Sequence, residues 1–467
     1  MTDSSSFDVV VCGGGPSGVT AALAAARRGQ RVLLLERYGF CGGMATAALV
    51  NPWAGHEYTD PTTRRKGSLI GGIFREVCLA LRARGGYGST LSASAFDEEL
   101  LKHVYDQLLV AAGVTVRYHT YLQAVRRDGA RVAAVEMFSK GGREVFAAPV
   151  FIDCTGDGDV AALAGVPFSI GRPADGLTQA MTVSFRMANV DKEAMLETGV
   201  LRDARGLVEP YFQAALASGE LHYPYRNFVH FYDYPRPGVL HFNMTRINRV
   251  SGLSAADLTA AEIEGRRQAF LIGEWLMKSV PFFRHAYVEK VACQVGVRET
   301  RHIHGRYTLT QEDITQARKF TDGIVRSCYF IDIHNPVGSQ DVHQKAGARG
   351  APRADFSPPP GDYYEVPFRC MVTADCPNLL VACRAFSATH EASAAARVMA
   401  TMHGLGEAAG IAAAEAVRRD VAVADIPGDW VRAQIPYLAA GPDFGPPWDG
   451  PGDQAPQILH PGEAQMR

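Results

Sequence analysis

The feature that most constrains this chain is a glycine-rich turn near its start. Residues 7–12 form a short apolar run, and Gly13, Gly15 and Gly18 follow it in the spacing G-x-G-x-x-G. An alanine-rich stretch and a second apolar run, residues 31–36, come next and end in Glu36. Such glycines let a strand turn sharply into a helix whose N-terminus holds a pyrophosphate, while the acidic residue accepts ribose hydroxyls. The pattern predicts a β–α–β unit that binds a dinucleotide within an α/β fold.

Composition and charge narrow the class of protein. With 467 residues, at roughly 100–200 residues per domain, the chain is long enough for two or three domains. Lys and Arg number 47 against 49 Asp and Glu, so no basic excess favours nucleic acid or an anionic membrane as a partner. The nine cysteines include no C-x-x-C pair, and no targeting or membrane-spanning segment is evident. We therefore expect a cytoplasmic protein without a metal centre.

The pattern of strands and helices divides the chain. A helix is predicted from a capping motif at Ser94 to Gly113, a small antiparallel meander over 121–149, and a buried strand over 150–154. Composition then changes, and one strong helix is predicted from a capping motif at Thr259 to Pro281. Another buried strand, 378–383, precedes a long helix that ends near Arg419. We predict a nucleotide domain in two parts, 1–165 and 366–420, an inserted α+β substrate domain, 166–365, and a C-terminal tail, 421–467.

Several further motifs carry a family resemblance. A second glycine pair, Gly42–Gly43, follows Glu36, as in flavoproteins of the glutathione-reductase-like superfamily. The sequences TGDGD at 155–159, GVRETR at 296–301, DIH at 332–334 and SATHEA at 387–392 then resemble one group, the FAD-dependent oxidoreductase (FAD_oxidored) family. The resemblance covers residues 7–418. It implies a noncovalent FAD in a discontinuous Rossmann-like domain, with a substrate domain inserted over the flavin ring.

The resemblance also implies which residues hold the cofactor. By this resemblance, the first glycine turn, Glu36 and the second glycine pair bind the adenosine diphosphate end, and the backbone of one meander strand contacts adenine. The TGD sequence lies near the ribityl chain, and the last strand and helix approach the flavin ring. In sequence order these residues are Gly13, Gly15, Pro16, Ser17, Gly18, Glu36, Arg37, Gly42, Gly43, Met44, Ala45, Thr46, Val125, Thr155, Gly156, Asp157, Arg384 and Gly406.

The chain departs from the family pattern at a few positions. Cys383 stands where the family usually has a Gly before the Arg, Glu407 where it has Gln, and Ala400 where it has Pro. Cys41, beside the glycine pair, is either a buried small residue or a covalent anchor for the flavin. Cys383 is either an apolar strand-end residue or a reactive thiolate.

Histidines and arginines are the candidates for substrate chemistry. A dehydrogenating flavoenzyme needs a base to take a proton and a cation to place an oxyanion or carboxylate. His334 and His390 are the candidate bases, because imidazole titrates nearest to neutral pH; Arg298 and Arg301 are the candidate cations. The alternatives are histidines bonded to buried backbone and arginines in an internal ion-pair network with Glu299. A metal on His302 and His304 is disfavoured, since no further ligand lies at a suitable spacing.

The preferred interpretation is an FAD-dependent dehydrogenase or oxidase. A small polar metabolite or natural-product intermediate would reduce the flavin, and oxygen or another acceptor would reoxidise it; a homo-oligomer is possible. The alternatives are an NAD(P)H- and oxygen-dependent monooxygenase or halogenase, although the halogenase W-x-W-x-I-P pattern is absent, and a fumarate-reductase-like enzyme that reduces a double bond. A flavin-bearing RNA-modifying protein or a flavoprotein without turnover is more distant, and neither nucleic acid nor a membrane is an expected partner.

Overall fold

A computed structural model describes residues 7–89, 92–198, 204–339, 342 and 354–440. The predicted tail, 421–467, therefore lies outside the described residues from 441 onwards. The helices are α1 (Pro16–Ala26), α2 (Gly72–Arg82), α3 (Glu98–Ala111), α4 (Asp159–Leu163), α5 (Lys192–Glu197), α6 (Ala204–Ser218), α7 (Ala255–Ser279), α8 (Gln311–Thr315), α9 (His390–Ala396), α10 (Met399–Arg419), α11 (Gly428–Ala433) and α12 (Pro436–Ala439).

The strands fall into one parallel sheet and several antiparallel ones. They are β1 (Val9–Cys12), β2 (Val32–Leu35), β3 (Glu57–Thr59), β4 (Lys66–Ser68), β5 (Thr115–Arg117), β6 (Tyr121–Asp128), β7 (Arg131–Ser139), β8 (Gly142–Ala147), β9 (Val150–Asp153), β10 (Phe168–Ile170), β11 (Phe185–Ala188), β12 (Phe231–Asp233), β13 (Leu240–Phe242), β14 (Tyr287–Val291), β15 (Arg301–Ile303), β16 (Gly323–Ser327), β17 (Tyr364–Pro367) and β18 (Leu379–Val381).

The parallel sheet has the strand order β18-β9-β1-β2-β5. Its strands are short and buried on both faces, as expected for a sheet that helices cover on each side. The first strand lies in the middle, in register with β2 on one side (Val9 with Val32) and β9 on the other (Val9 with Val150). The predicted β–α–β unit and the α/β, Rossmann-like fold class are confirmed.

The inserted part of the chain contains an antiparallel sheet of order β12-β13-β11-β14. Side chains alternate between its two faces. Phe185, Phe231 and Phe242 pack in a core that includes residues of α7, such as Ile272 and Leu276. The other face is therefore left for polar side chains. The meander predicted over 121–149 is also present, as β6, β7 and β8.

Helix α10 packs closely along α1. A Cβ at Gly406 would lie 2.0 Å from the Ser17 carbonyl oxygen, and one at Gly410 would lie 2.2 Å from the Ala21 carbonyl oxygen. The Thr20 hydroxyl also donates a hydrogen bond of 2.8 Å to the His403 carbonyl of α10. Gly406 thus serves the contact between the two helices, which only a residue without a side chain permits.

Three helix limits differ from the sequence prediction. Helix α3 begins directly after Asp97, whose carboxylate accepts two backbone N–H bonds of the first turn, and not at Ser94. Helix α7 begins directly after Ser254, which caps it, and not at Thr259. The long helix predicted before Arg419 is two helices, α9 and α10, because Val398 between them has an extended backbone. Side-chain capping and one extended residue decide these limits.

The core around α1 and α10 also takes in parts of the chain beyond the predicted nucleotide domain. Ile314, Val325 and Ile333, which the sequence assigns to the inserted domain, lie in the same buried cluster as α1 and α10. Val431 and Leu438, from the predicted tail, belong to it as well. The buried core is therefore continuous across residues 365 and 420. None of the helices in the described ranges is long and apolar enough to cross a membrane.

Glu407 gives a testable pH dependence of stability. Burial raises the pKa of its carboxyl to about 7, although the Ile73 N–H and nearby arginines oppose the shift. Because this pKa exceeds the unfolded value, stability is lost as pH rises from about 4.5 to about 7. We expect Glu407→Gln to be more stable than the natural chain by on the order of 1 kcal/mol at pH 8 and no more stable at pH 4.5. Thermal unfolding across this range measures it; a difference that does not vary with pH would contradict the prediction.

Candidate active site

A cavity of about 880 Å³ opens at the carboxyl ends of the parallel strands. Cys12 at the end of β1, Glu36 after β2, Thr155 after β9 and Cys383 after β18 all line it. Because parallel strands end at one edge, residues from distant parts of the chain meet there. From this edge the cavity extends to the polar face of the antiparallel sheet. It has a nucleotide end and a second end enclosed by the inserted part of the chain.

Glycines shape the nucleotide end. Gly15 is the N-cap of α1, and a Cβ there would meet no atom of the described residues within 4 Å, so Gly15 faces open space. Gly13 has a φ of 102° and lies against the Cys154 carbonyl, where a side chain would not fit. The α1 N-terminus therefore presents its backbone N–H groups to the cavity without obstruction. This is the arrangement that binds a pyrophosphate.

Glu36 is fixed by its neighbours. Its Oε2 accepts a bond of 2.6 Å from the Gly14 N–H, and its Oε1 accepts one of 2.9 Å from the Tyr38 N–H. Burial raises the pKa of this carboxyl above its ordinary value, while the two N–H donors favour the charged form. The side chain is 5% exposed and lines the cavity. A carboxylate held in this way can accept hydroxyl hydrogen bonds from a ribose.

The structure brings eleven of the predicted cofactor residues to the cavity wall and not the other seven. Those that line it are Gly13, Gly15, Pro16, Ser17, Glu36, Arg37, Gly43, Met44, Thr155, Gly156 and Arg384. The others are not among the lining residues: they are Gly18, Gly42, Ala45, Thr46, Val125, Asp157 and Gly406. At the meander, Tyr121, Leu122 and Met137 line the cavity in place of Val125.

Some of these residues have definite structural tasks. A Cβ at Gly18 would lie 1.8 Å from the Gly13 carbonyl oxygen, so this glycine closes the turn. The Thr46 hydroxyl donates to the Cys41 carbonyl at 3.0 Å and holds the second glycine pair. The Asp157 carboxylate accepts a bond of 2.5 Å from Arg384 and keeps that guanidinium at the wall.

Helix α10 begins at the cavity. Val398, Met399 and Met402, at its N-terminus, line the wall, and Val398 supplies no side-chain cap. A 21-residue helix carries a partial positive charge at this end. The wall therefore favours a negative charge at this point.

At the second end, His334 is held by a carboxylate. Its Nε2 lies 3.2 Å from Asp332 Oδ2, and the Tyr329 hydroxyl donates to the same oxygen at 3.1 Å. All three residues line the cavity. A carboxylate beside an imidazole fixes the orientation of the ring and stabilises its protonated form. His334 therefore lies on the cavity wall beside a carboxylate, and its role as a base stays a prediction.

Two arginines flank this histidine. Arg298 Nη1 donates to the Ala180 carbonyl at 2.5 Å and to the Thr182 hydroxyl at 2.8 Å. Arg397, which the sequence analysis missed, donates from Nη2 to Gln179 Oε1 at 3.2 Å. Gln179 Oε1 also accepts the His334 N–H at 3.3 Å, so one amide positions both residues. A charged residue at the break in an alanine-rich helical stretch was the available signal for Arg397.

The other two predicted catalytic residues lie outside the cavity wall. His390 Nδ1 is 2.6 Å from Glu299 Oε1, and His302 Nε2 is 2.8 Å from the same oxygen. Arg301 donates to Asp159 at 2.8 Å. Among the described residues, His390 is therefore bonded to a carboxylate and not to buried backbone, and Arg301 pairs with Asp159 and not with Glu299. The Glu299 cluster supports the site through its bond of 2.9 Å from the Gln179 N–H.

The antiparallel sheet contributes polar groups that the sequence did not single out. His241 and Asn243 line the cavity, and His241 is 1% exposed. Neither ring nitrogen of His241 has a hydrogen-bond partner in the part of the chain that the structure describes. Burial, with a smaller effect from Arg186, lowers the pKa of His241 to about 3, so the ring is neutral. The only signal for His241 in the sequence was its position in β13, a buried strand in which side chains alternate between the two faces of the sheet.

Burial bears on the two cysteine alternatives. Burial raises the pKa of the Cys383 thiol, the opposite of the shift that a reactive thiolate requires. Cys41 is fully buried and is not among the residues that line the cavity. Within the described ranges, no group of three His, Cys, Asp or Glu could hold a metal ion.

The fold and the cavity define a class, the α/β proteins with a dinucleotide site that opens into a second, polar chamber. The family model described as FAD dependent oxidoreductase matches residues 8–435, and the chain belongs to this family. The protein is therefore an enzyme, an oxidoreductase whose cofactor is FAD. The predicted family resemblance and cofactor are confirmed.

Solved structures show the range of flavoenzymes to which the chain is similar. A geranylgeranyl bacteriochlorophyll reductase-like protein from Thermoplasma acidophilum has 14% identity and a TM-score of 0.45, covering 92% of this chain and 83% of its own. p-Nitrophenol 4-monooxygenase PnpA from Pseudomonas putida DLL-E4 has 14% identity and a TM-score of 0.36, covering 65% and 70%. The flavin-dependent brominase Bmp2 has 15% identity and a TM-score of 0.38, covering 65% and 70%. No curated protein sequence matches the chain.

Proposed function

We propose that the protein is a dehydrogenase or oxidase that takes two electrons and two protons from a small polar metabolite. The observation that carries this proposal is the His334–Asp332 pair, which lies on the wall of the same cavity that holds the cofactor-binding glycines. An oxidation of C–H and O–H or N–H requires a base at the reacting centre. FAD, when bound, supplies the acceptor for the hydride.

The chain's own residues have separate tasks in this proposal. His334 accepts the proton from the substrate hydroxyl or amine at Nδ1, the ring nitrogen that does not face Asp332. Asp332, which accepts the Nε2–H bond, stabilises the resulting imidazolium. Gln179 keeps His334 and Arg397 in place through one side-chain oxygen. The glycine turn, Glu36 and Arg384 hold the cofactor. The Arg384 guanidinium and the α10 N-terminus supply positive charge that favours an electron-rich flavin ring.

An anaerobic reduction experiment tests the proposal against its rivals. The holoenzyme is mixed without oxygen with a panel of polar alcohols, hydroxy acids and amines, and separately with NADH and NADPH. We expect at least one metabolite to bleach the flavin band and neither nicotinamide to do so. Bleaching by NADH or NADPH alone would overturn the proposal in favour of a monooxygenase, halogenase or double-bond reductase. Mixing the reduced enzyme with oxygen then tests whether oxygen is the acceptor that reoxidises the flavin.

A further inference from the structure

Two guanidinium groups in the cavity lack a negatively charged partner. Arg298 bonds only neutral oxygens, those of Ala180 and Thr182. Arg397 bonds two more neutral oxygens, the Gln179 side chain and the Asp332 backbone carbonyl. Neither forms an ion pair with a carboxylate of the residues that the structure describes. A fixed cation away from bulk water normally pairs with an anion.

Each guanidinium group has N–H donors that the described residues do not use. Only Nη1 of Arg298 is used by the described residues, and Nε of Arg397 is buried without a hydrogen-bond partner among them. Both arginines line the second end of the cavity with His334. A guanidinium presents its donors in a planar fork that matches the two oxygens of a carboxylate.

The local charges leave a positive excess for a ligand to neutralise. Burial, together with the nearby Arg397 and Arg226 charges, lowers the pKa of Arg298 to about 9, so its guanidinium is still protonated at neutral pH. The Asp332 carboxylate on this wall is already engaged by Tyr329 and His334. Across the cavity His241 is neutral and adds hydrogen-bonding groups and no charge.

We infer that the substrate carries a carboxylate, and that Arg298 and Arg397 bind it while His334 faces the group to be oxidised. The inference rests on the proposed function only for the role of His334. Binding of the carboxylate itself requires no turnover. It therefore stands or fails separately from the direction of the redox reaction.

The test uses the oxidised holoenzyme and matched pairs of small ligands. Acetate and acetamide, benzoate and benzamide, and succinate and succinamide differ mainly in charge, and inorganic phosphate is added as a second oxyanion. Binding is measured by perturbation of the flavin absorption band and by the shift of the unfolding temperature. We expect at least one carboxylate to bind tenfold or more tightly than its amide. Equal binding of carboxylates and amides, no binding of any carboxylate, or tighter binding of phosphate would overturn the inference.

Variants of Arg298 test whether this residue causes the preference for carboxylates. Arg298→Gln is expected to weaken the preferred carboxylate at least tenfold, and Arg298→Lys, which retains the charge, to recover part of the loss. The matched control is Arg301→Gln. Arg301 is not among the residues that line the cavity, so its replacement should leave the affinity unchanged. If Arg298→Gln lowers the flavin reduction potential but leaves carboxylate affinity unchanged, the arginine serves the flavin and the inference is wrong. A folded Arg298→Lys variant keeps the test decisive if Arg298→Gln is unstable.

Discussion

His334→Ala is expected to slow anaerobic flavin reduction by about 10²- to 10⁴-fold, the usual contribution of a positioned general base. The substitution removes the imidazole that Asp332 holds but retains the backbone N–H bond to Gln179, so the local chain path is preserved. FAD content should not change, because His334 lies at the end of the cavity away from the glycine turn. Stopped-flow measurement of the bleaching rate with the reducing metabolite gives the value.

The matched control for this prediction is His304→Ala. His304 is exposed and is not among the residues that line the cavity. Its replacement should leave the reduction rate unchanged. A rate in His334→Ala equal to that of the natural enzyme would remove His334 as the base, whatever the behaviour of the control.

Glu36→Ala is expected to weaken FAD binding by about 10- to 100-fold, since hydrogen bonds to a charged group contribute roughly 1.5–3 kcal/mol. The loss has two sources. The ribose loses its carboxylate acceptor, and the Gly14 N–H loses the bond of 2.6 Å that fixes the turn. Titration of FAD into the apoprotein, followed by flavin fluorescence, measures the dissociation constant.

Two variants sharpen the Glu36 experiment. Glu36→Gln retains an oxygen for the Gly14 N–H and should lose less affinity than Glu36→Ala. Glu99→Ala removes an exposed carboxylate whose lysine partners lie away from the cavity, and it should retain FAD fully. Full retention of FAD by Glu36→Ala after extensive washing would show that the carboxylate does not bind the ribose.

The nucleotide end of the site was predictable because its determinants are close together in the sequence. Gly13, Gly15 and Glu36 belong to one β–α–β unit, and their spacing alone brings them to the end of β1. The second end could not be predicted in the same way. Arg397 and His334 meet there because β18, α9 and the segment after β16 pack in one core, which no local spacing reveals.

The motif at residues 298–301 shows the difference on a small scale. Both of its arginines are equally plausible from the sequence, but they are three residues apart in an extended segment. Residues at that separation point to opposite sides. Arg298 therefore lines the cavity, whereas Arg301 does not.

The strand order of the parallel sheet has a consequence for biosynthesis. The first strand to leave the ribosome, β1, lies in the middle of the sheet. Its neighbour β9 has an unpaired edge until β18, more than two hundred residues later in the chain, is synthesised and pairs with it. Until α10 is also made, Gly406 cannot pack on α1, the helix whose N-terminus is predicted to bind the pyrophosphate. The glycine-rich turn of a nascent chain is therefore synthesised long before the complete binding site can form. We expect FAD to be captured as a late event that closes the fold, after the inserted part has been synthesised.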